Sequence, residues 1–155
     1  MKKIYLYLGL FLLVASYSLE SKTLTNLQQS ERFLLENATK GDVVSIEEGL
    51  QYSVMQSGDA DSLPPALSEI ITAHFHGTLM DETVFWSSVE MGDPLTIQLS
   101  QLIQGCQKVI SKMRVGDMWR VFIHPDLAYG EEGRPTIPPN STLIFDIELI
   151  NIDRQ

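Results

Sequence analysis

His74 and His76 stand two residues apart in a stretch that alternates apolar and polar side chains, so they share one face of a strand and could hold one metal ion. A zinc site needs three or four protein ligands, and no third suitable side chain stands near them in sequence. They read better as strand histidines. Cys106 is the only cysteine, so no intramolecular disulfide can form, and a single cysteine is more often a small buried hydrophobe than a nucleophile. The sequence contains no phosphate-binding glycine loop, no HExxH pair, no paired-cysteine metal site and no nucleophile elbow, so neither a metal nor a cofactor is implied. Asp81, Glu82 and Glu90 fall in loop-like stretches and need no role beyond solvation. Whatever this chain does is expected to need no acid–base pair.

The elements that position these residues come from hydrophobic periodicity. Ile71, Ala73 and Phe75 alternate with Thr72, His74 and His76 up to Gly77, as in a strand with one buried face. Leu95, Ile97 and Leu99 alternate in the same way behind Pro94, as do Trp119, Val121 and Ile123, and Leu143, Phe145, Ile147 and Leu149. Leu102, Ile103, Cys106, Val109, Ile110 and Met113 recur at helical spacing, with Ser100 as the expected N-cap. Val43–Ile46 and Leu50–Met55 read as short strands around Glu47-Glu48-Gly49, and residues 58–65 as a loop. Several strands around one helix make an α+β domain with a mainly antiparallel sheet.

Residues 19–42 form a short helical lead-in, where Leu24, Leu27, Phe33, Leu34 and Leu35 make an amphipathic pattern stopped by Asn37 and Gly41. The main domain spans residues 43–155. Residues 1–18 read as a signal peptide, with Lys2 and Lys3 ahead of an apolar run from Ile4 to Ala15, and with Ser16 and Ser18 at the cleavage positions. Export to the periplasm or cell envelope follows, with an uncleaved N-terminal anchor as the alternative. The net charge of −9 over 155 residues argues against nucleic acid or an anionic membrane as the main partner.

Five stretches resemble FKBP-type prolyl isomerases when taken together in this order and spacing. They are Ala73-His74-Phe75-His76-Gly77, Phe85-Trp86-Ser87-Ser88, Met113-Arg114-Val115-Gly116-Asp117, Pro125-Asp126-Leu127-Ala128-Tyr129-Gly130, and the run from Ile137-Pro138-Pro139 to Glu148-Leu149. The segments Phe33-Leu34-Leu35-Glu36-Asn37 and Gly49-Leu50-Gln51-Tyr52-Ser53-Val54 are similar to the lead-in of the bacterial Mip-like branch. The resemblance implies a curved sheet wrapped around a short helix, with an apolar proline pocket between them. Carried over by position, Tyr129, Ile103 and Phe85 take the catalytic places. Phe75, Trp86, Leu95, Leu102, Cys106, Ile137 and Phe145 line the substrate pocket, although Leu95, Cys106 and Phe145 read equally well as plain core. In this picture the Ile103 N–H and the Tyr129 hydroxyl hold substrate carbonyls.

The implied activity is peptidyl-prolyl cis-trans isomerisation during folding of exported proteins, with proline-containing polypeptides as partners and macrolides as inhibitors. Long helices before this domain dimerise the Mip-like relatives. They are nearly absent here, which leaves a monomer or a weak dimer. The chain departs from the family pattern at three pocket positions. A usual Tyr is Phe75, the Asp hydrogen-bonded to it is Trp86, and a floor Trp is Cys106. Arg134 replaces a common loop His, and the loop before Pro138 is one residue short. Losing both members of a buried hydrogen-bonded pair strands neither. The small Cys106 is expected either to deepen the pocket or to let Trp86 fill it. The expected activity is weak, and the alternative is a peptide-binding or chaperone module on the same fold.

Overall fold

A computed structural model describes residues 23–154, and the signal-peptide reading of residues 1–18 lies outside that range. Among the described residues no helix is long and apolar enough to cross a membrane.

The period-two segments form strands. β3 (Ile70–Thr78) buries Ile71, Ala73, Phe75 and Gly77 and runs one residue past that glycine. β7 (Leu143–Asp153) buries Leu143, Phe145, Ile147 and Leu149. With β1 (Val44–Glu47), β2 (Leu50–Gln56), β4 (Val84–Ser87), β5 (Leu95–Gln98) and β6 (Met118–Ile123) they make one seven-stranded sheet. Its order is β1-β2-β6-β7-β3-β4, with β5 beside β3, and every pair is antiparallel. The curved antiparallel sheet around a short helix agrees with the expected class.

The helix under the sheet is shorter than its apolar stripe suggests. α3 (Gln104–Ile110) is capped at Ile103 rather than Ser100. Residues Leu99–Gln101 instead close a 3-10 turn, in which the Leu102 N–H donates to the Leu99 carbonyl at 3.2 Å. The side-chain amide of Gln107 donates to the carbonyls of Ser100 at 3.1 Å and Leu102 at 2.6 Å, so the extended step into the helix is stabilised from within it. Gly105 lets α3 lie hard against the sheet, since a Cβ there would sit 2.4 Å from Cγ2 of Ile123.

Phe85 and Trp86 lie in β4, which is followed by a one-turn helix, α2 (Ser88–Met91). One edge of β3 is shared, pairing with β5 through Ile70–Ala73 and with β4 through His76–Thr78. Ser88 bridges the gap, because its Oγ accepts from the Phe75 N–H at 2.9 Å and lies 3.0 Å from Nδ1 of His74. Nδ1 of His76 meets Ser87 Oγ at 2.9 Å. These hydrogen bonds fix β3 to the β4–α2 corner, which places Phe75 beside Trp86.

α1 (Asn26–Asn37) opens with a capping box between Thr25 and Gln28 and covers the outer face of the sheet. Phe33 packs on Phe122 with ring centroids 6.0 Å apart. Asn37 Nδ2 donates to Gln51 Oε1 at 2.9 Å, and Gln51 Nε2 donates to the Leu34 carbonyl at 2.8 Å, all in buried positions.

Candidate functional site

The inner face of the sheet and α3 do not close on each other completely. Between them lies a cavity of about 560 Å³. Its back wall is aromatic. Phe145 from β7 meets Phe85 at 5.4 Å between centroids and 88°, and Phe75 at 6.2 Å and 81°. Such edge-to-face pairs contribute roughly 0.5–1.5 kcal/mol beyond area burial. Gly77 permits the approach, since a Cβ there would fall 2.6 Å from Cζ of Phe85 and 2.8 Å from Cε1 of Phe145. Trp86 leans on Phe75 at 6.2 Å and 54°. The two positions that are hydrogen-bonded polar residues in the family pattern are thus an apolar contact pair here.

Leu95 from β5 and Leu102 form the near wall, and Cys106 from α3 lines the cavity beneath them. Trp86 is 37% exposed, whereas Cys106 is buried in the cavity lining. Trp86 and the small Cys106 thus line the same cavity. Burial pushes the Cys106 thiol up to about 12, so it is a neutral lining group and no nucleophile at neutral pH.

Tyr129 and Ile137 close the far side on the segment between β6 and β7. That segment is held by its own backbone. The Gly130 N–H donates to Pro125 at 2.9 Å, the Asn140 N–H to Gly130 at 2.8 Å, and Arg134 and Ile137 exchange hydrogen bonds at 2.8 and 2.9 Å. The Arg134 guanidinium lies over the Tyr129 ring, 4.6 Å from its centroid. Across from this wall, Ile103 has extended backbone (φ −60°, ψ 153°), and its N–H meets no acceptor among the described residues. The Tyr129 hydroxyl likewise makes no hydrogen bond among them, so these two donors, beside Gln101, Arg134 and Thr136 on the same lining, are uncommitted.

All ten residues singled out from the sequence line this one cavity: Phe75, Phe85, Trp86, Leu95, Leu102, Ile103, Cys106, Tyr129, Ile137 and Phe145. Sequence reasoning missed Gln101 and Thr136, and it noted Arg134 only as a departure from a pattern. Placing the helix cap at Ser100 turned Gln101 into an ordinary first-turn residue, whereas the 3-10 turn carries it to the rim. His74 and His76 do not enter the cavity lining; their Nδ1 atoms are taken by Ser88 and Ser87. No group of three or more metal-ligating side chains occurs among the described residues.

A box of aromatic and aliphatic walls with two uncommitted donors among its lining residues suits a compact apolar group flanked by carbonyls. Comparison with known proteins points the same way. The family described as FKBP-type peptidyl-prolyl cis-trans isomerase matches residues 63–150, and the one described as the domain amino terminal to it matches residues 15–54. The peptidyl-prolyl cis-trans isomerase Mip of Coxiella burnetii is 39% identical over 131 residues, covering 84% of this chain and 56% of that protein. The outer membrane protein MIP of Legionella longbeachae is 39% identical over 141 residues, covering 90% of this chain and 59% of that one. The crystal structure of FkpA from Escherichia coli superposes with a TM-score of 0.78 at 33% identity, covering 83% of this chain and 59% of that chain. The chain thus spans a little over half the length of the curated relatives it matches.

Proposed function

We propose that this chain, which belongs to the FKBP-type peptidyl-prolyl cis-trans isomerase family, catalyses cis–trans exchange at X–Pro bonds of exported polypeptides. The observation that carries the reading is the pairing of an apolar cavity with two uncommitted donors, the Ile103 N–H and the Tyr129 hydroxyl. Rotation about the peptide bond faces a barrier of about 18–20 kcal/mol, because resonance gives C–N partial double-bond character. The planar amide is more dipolar than the twisted one, so apolar walls disfavour the ground state relative to the transition state. The two donors anchor carbonyls on either side of the proline ring and hold the chain while the imide bond turns. No nucleophile, metal or proton relay is needed. Lowering the barrier by about 7 kcal/mol corresponds to a roughly 10⁵-fold acceleration.

Trp86 and Cys106 depart from the family pattern, an indole for a carboxylate and a thiol for an indole, which favours weak turnover. They also support a second reading, a chaperone-like module that binds proline segments without turning them over. Macrolides that mimic a twisted prolyl amide fit the same walls. The relative named an outer membrane protein supports a location in the cell envelope. The test is isomerisation of a proline-containing peptide by the folded protein, with and without a macrolide. Acceleration over buffer that the macrolide suppresses is expected. Peptide binding without acceleration decides for the module, and neither binding nor acceleration sinks both readings.

A further inference from the structure

Exposed apolar side chains gather beside the proline cavity. Trp86, Val89 and Met91 lie within six residues of one another at the β4–α2 corner, with Val89 55% and Met91 60% exposed. Under this corner runs a second groove, lined by Trp86, Met91, Asp93, Pro94, Leu95 and Thr96. Trp86 and Leu95 line both spaces, so the cavity and the groove adjoin at these two side chains.

We infer that this groove is a second subsite of the same polypeptide, taking a large apolar side chain two positions away from the proline. The inference rests on the reading that the cavity takes proline. Carbon atoms in contact with opposite faces of one indole lie roughly 7–8 Å apart, twice the usual contact distance. In an extended chain, side chains two residues apart point the same way and are separated by about 6.6 Å, which matches. The neighbouring residue points to the opposite side and does not reach across Trp86. The single carboxylate of the groove, Asp93, leaves the apolar surface of Trp86, Met91, Pro94 and Leu95 as the part an aliphatic side chain can cover.

The experiment measures binding and isomerisation of capped hexapeptides with one central Ala-Pro pair, carrying Ala or Leu two positions before or after the proline. Leu at one of these two positions is expected to tighten binding about tenfold over Ala, the gain from burying most of one aliphatic side chain. Met91→Glu should reduce that preference to under about twofold while leaving the all-Ala peptide unchanged, since Met91 does not line the proline cavity. Val89→Glu adds the same charge at a site outside both spaces and should leave the preference intact. Equal binding of Leu and Ala peptides overturns the subsite, as does loss of preference in Val89→Glu or its survival in Met91→Glu. Selective binding without acceleration supports the subsite and removes only the isomerase reading.

Discussion

The two faces of the sheet solve opposite problems. The outer face holds α1 by direct packing and buried hydrogen bonds, with a groove of about 780 Å³ left beside the helix towards β1, β2 and the turn after β6. Leu34 and Phe122 are buried, and Ser30, Asn37 and Gln51 tie the helix down, with Ser30 Oγ donating to the Asn140 carbonyl at 2.8 Å and accepting from the Thr142 N–H at 3.0 Å. The inner face meets α3 over an aliphatic core of Ile71, Val109, Val121 and Ile147, then opens into the cavity beside Phe75, Phe145 and Cys106. There the donors of Ile103 and Tyr129 are left without partners. One face spends its polar groups on holding the fold, while the other keeps them for a ligand. Stability and recognition should therefore respond separately to mutation, except where a residue belongs to both.

Phe145 is such a residue, buried in the core cluster and also lining the cavity. Phe145→Ala removes a side chain held edge-on by both Phe75 and Phe85. It should cost about 3–5 kcal/mol of stability and abolish measurable isomerisation. Denaturant unfolding together with the peptide assay reads both effects. A loss of activity with undiminished stability would mean that Phe145 belongs to the site alone, and the separation of the faces would lie elsewhere.

Gln51→Leu acts on the outer face only. It strands Asn37 Nδ2 and removes one of two hydrogen bonds at the Leu34 carbonyl, which still accepts from the Ala38 N–H at 3.0 Å, at a cost of about 1–3 kcal/mol. At temperatures where the variant is folded, kcat/KM on a proline peptide should match the parent. A fall in kcat/KM larger than twofold (roughly 0.4 kcal/mol at the transition state) would show that α1 sets the geometry of the cavity through the sheet.

How far these faces could be read from sequence depends on the range of the forces that make them. β3 and β7 were legible because one buried face imposes strict alternation on the nine residues of β3 and on the first seven of β7, Leu143–Leu149. β4 was not, because it has four residues and is defined by Ser87 and Ser88 reaching back to His76 and Phe75, a tertiary fact. The start of α3 was misplaced because the apolar stripe from Leu102 continues unbroken through a 3-10 turn and an extended step. The ten cavity residues came from spaced family stretches, since periodicity alone cannot tell Cys106 facing a void from Val109 facing a neighbour. Gln101 and Thr136 escaped because their place on the rim is set by backbone turns rather than by residue type.

Tyr129→Phe is the counterpart of Gln51→Leu on the inner face. The hydroxyl makes no hydrogen bond among the described residues, and the ring keeps its contact with Arg134. Stability should change by less than about 0.5 kcal/mol, while kcat/KM falls roughly three- to tenfold, the range of one neutral hydrogen bond. If Tyr129→Phe is silent while Phe145→Ala is dead, the polar role assigned to Tyr129 is wrong and the walls alone do the work.

Cys106 should give the smallest effect at neutral pH, and its sign follows from linkage. Burial holds the thiol at about 12 in the folded chain, whereas an exposed thiol ionises near pH 8.5. Below about pH 8.5 the thiol is protonated in both states, so it adds no pH dependence to stability or to rate. Above that, the unfolded chain releases its proton first, and folding stability falls by up to about 1.4 kcal/mol per pH unit until the folded thiol ionises. Cys106→Val should leave kcat/KM between about pH 6 and 8 within twofold of the parent and flatten the alkaline loss of stability. A neutral-pH rate that follows a group titrating only when Cys106 is present would place a thiolate in the cavity. The inner face would then carry thiolate chemistry beside Arg134 instead of the neutral Cys106 wall.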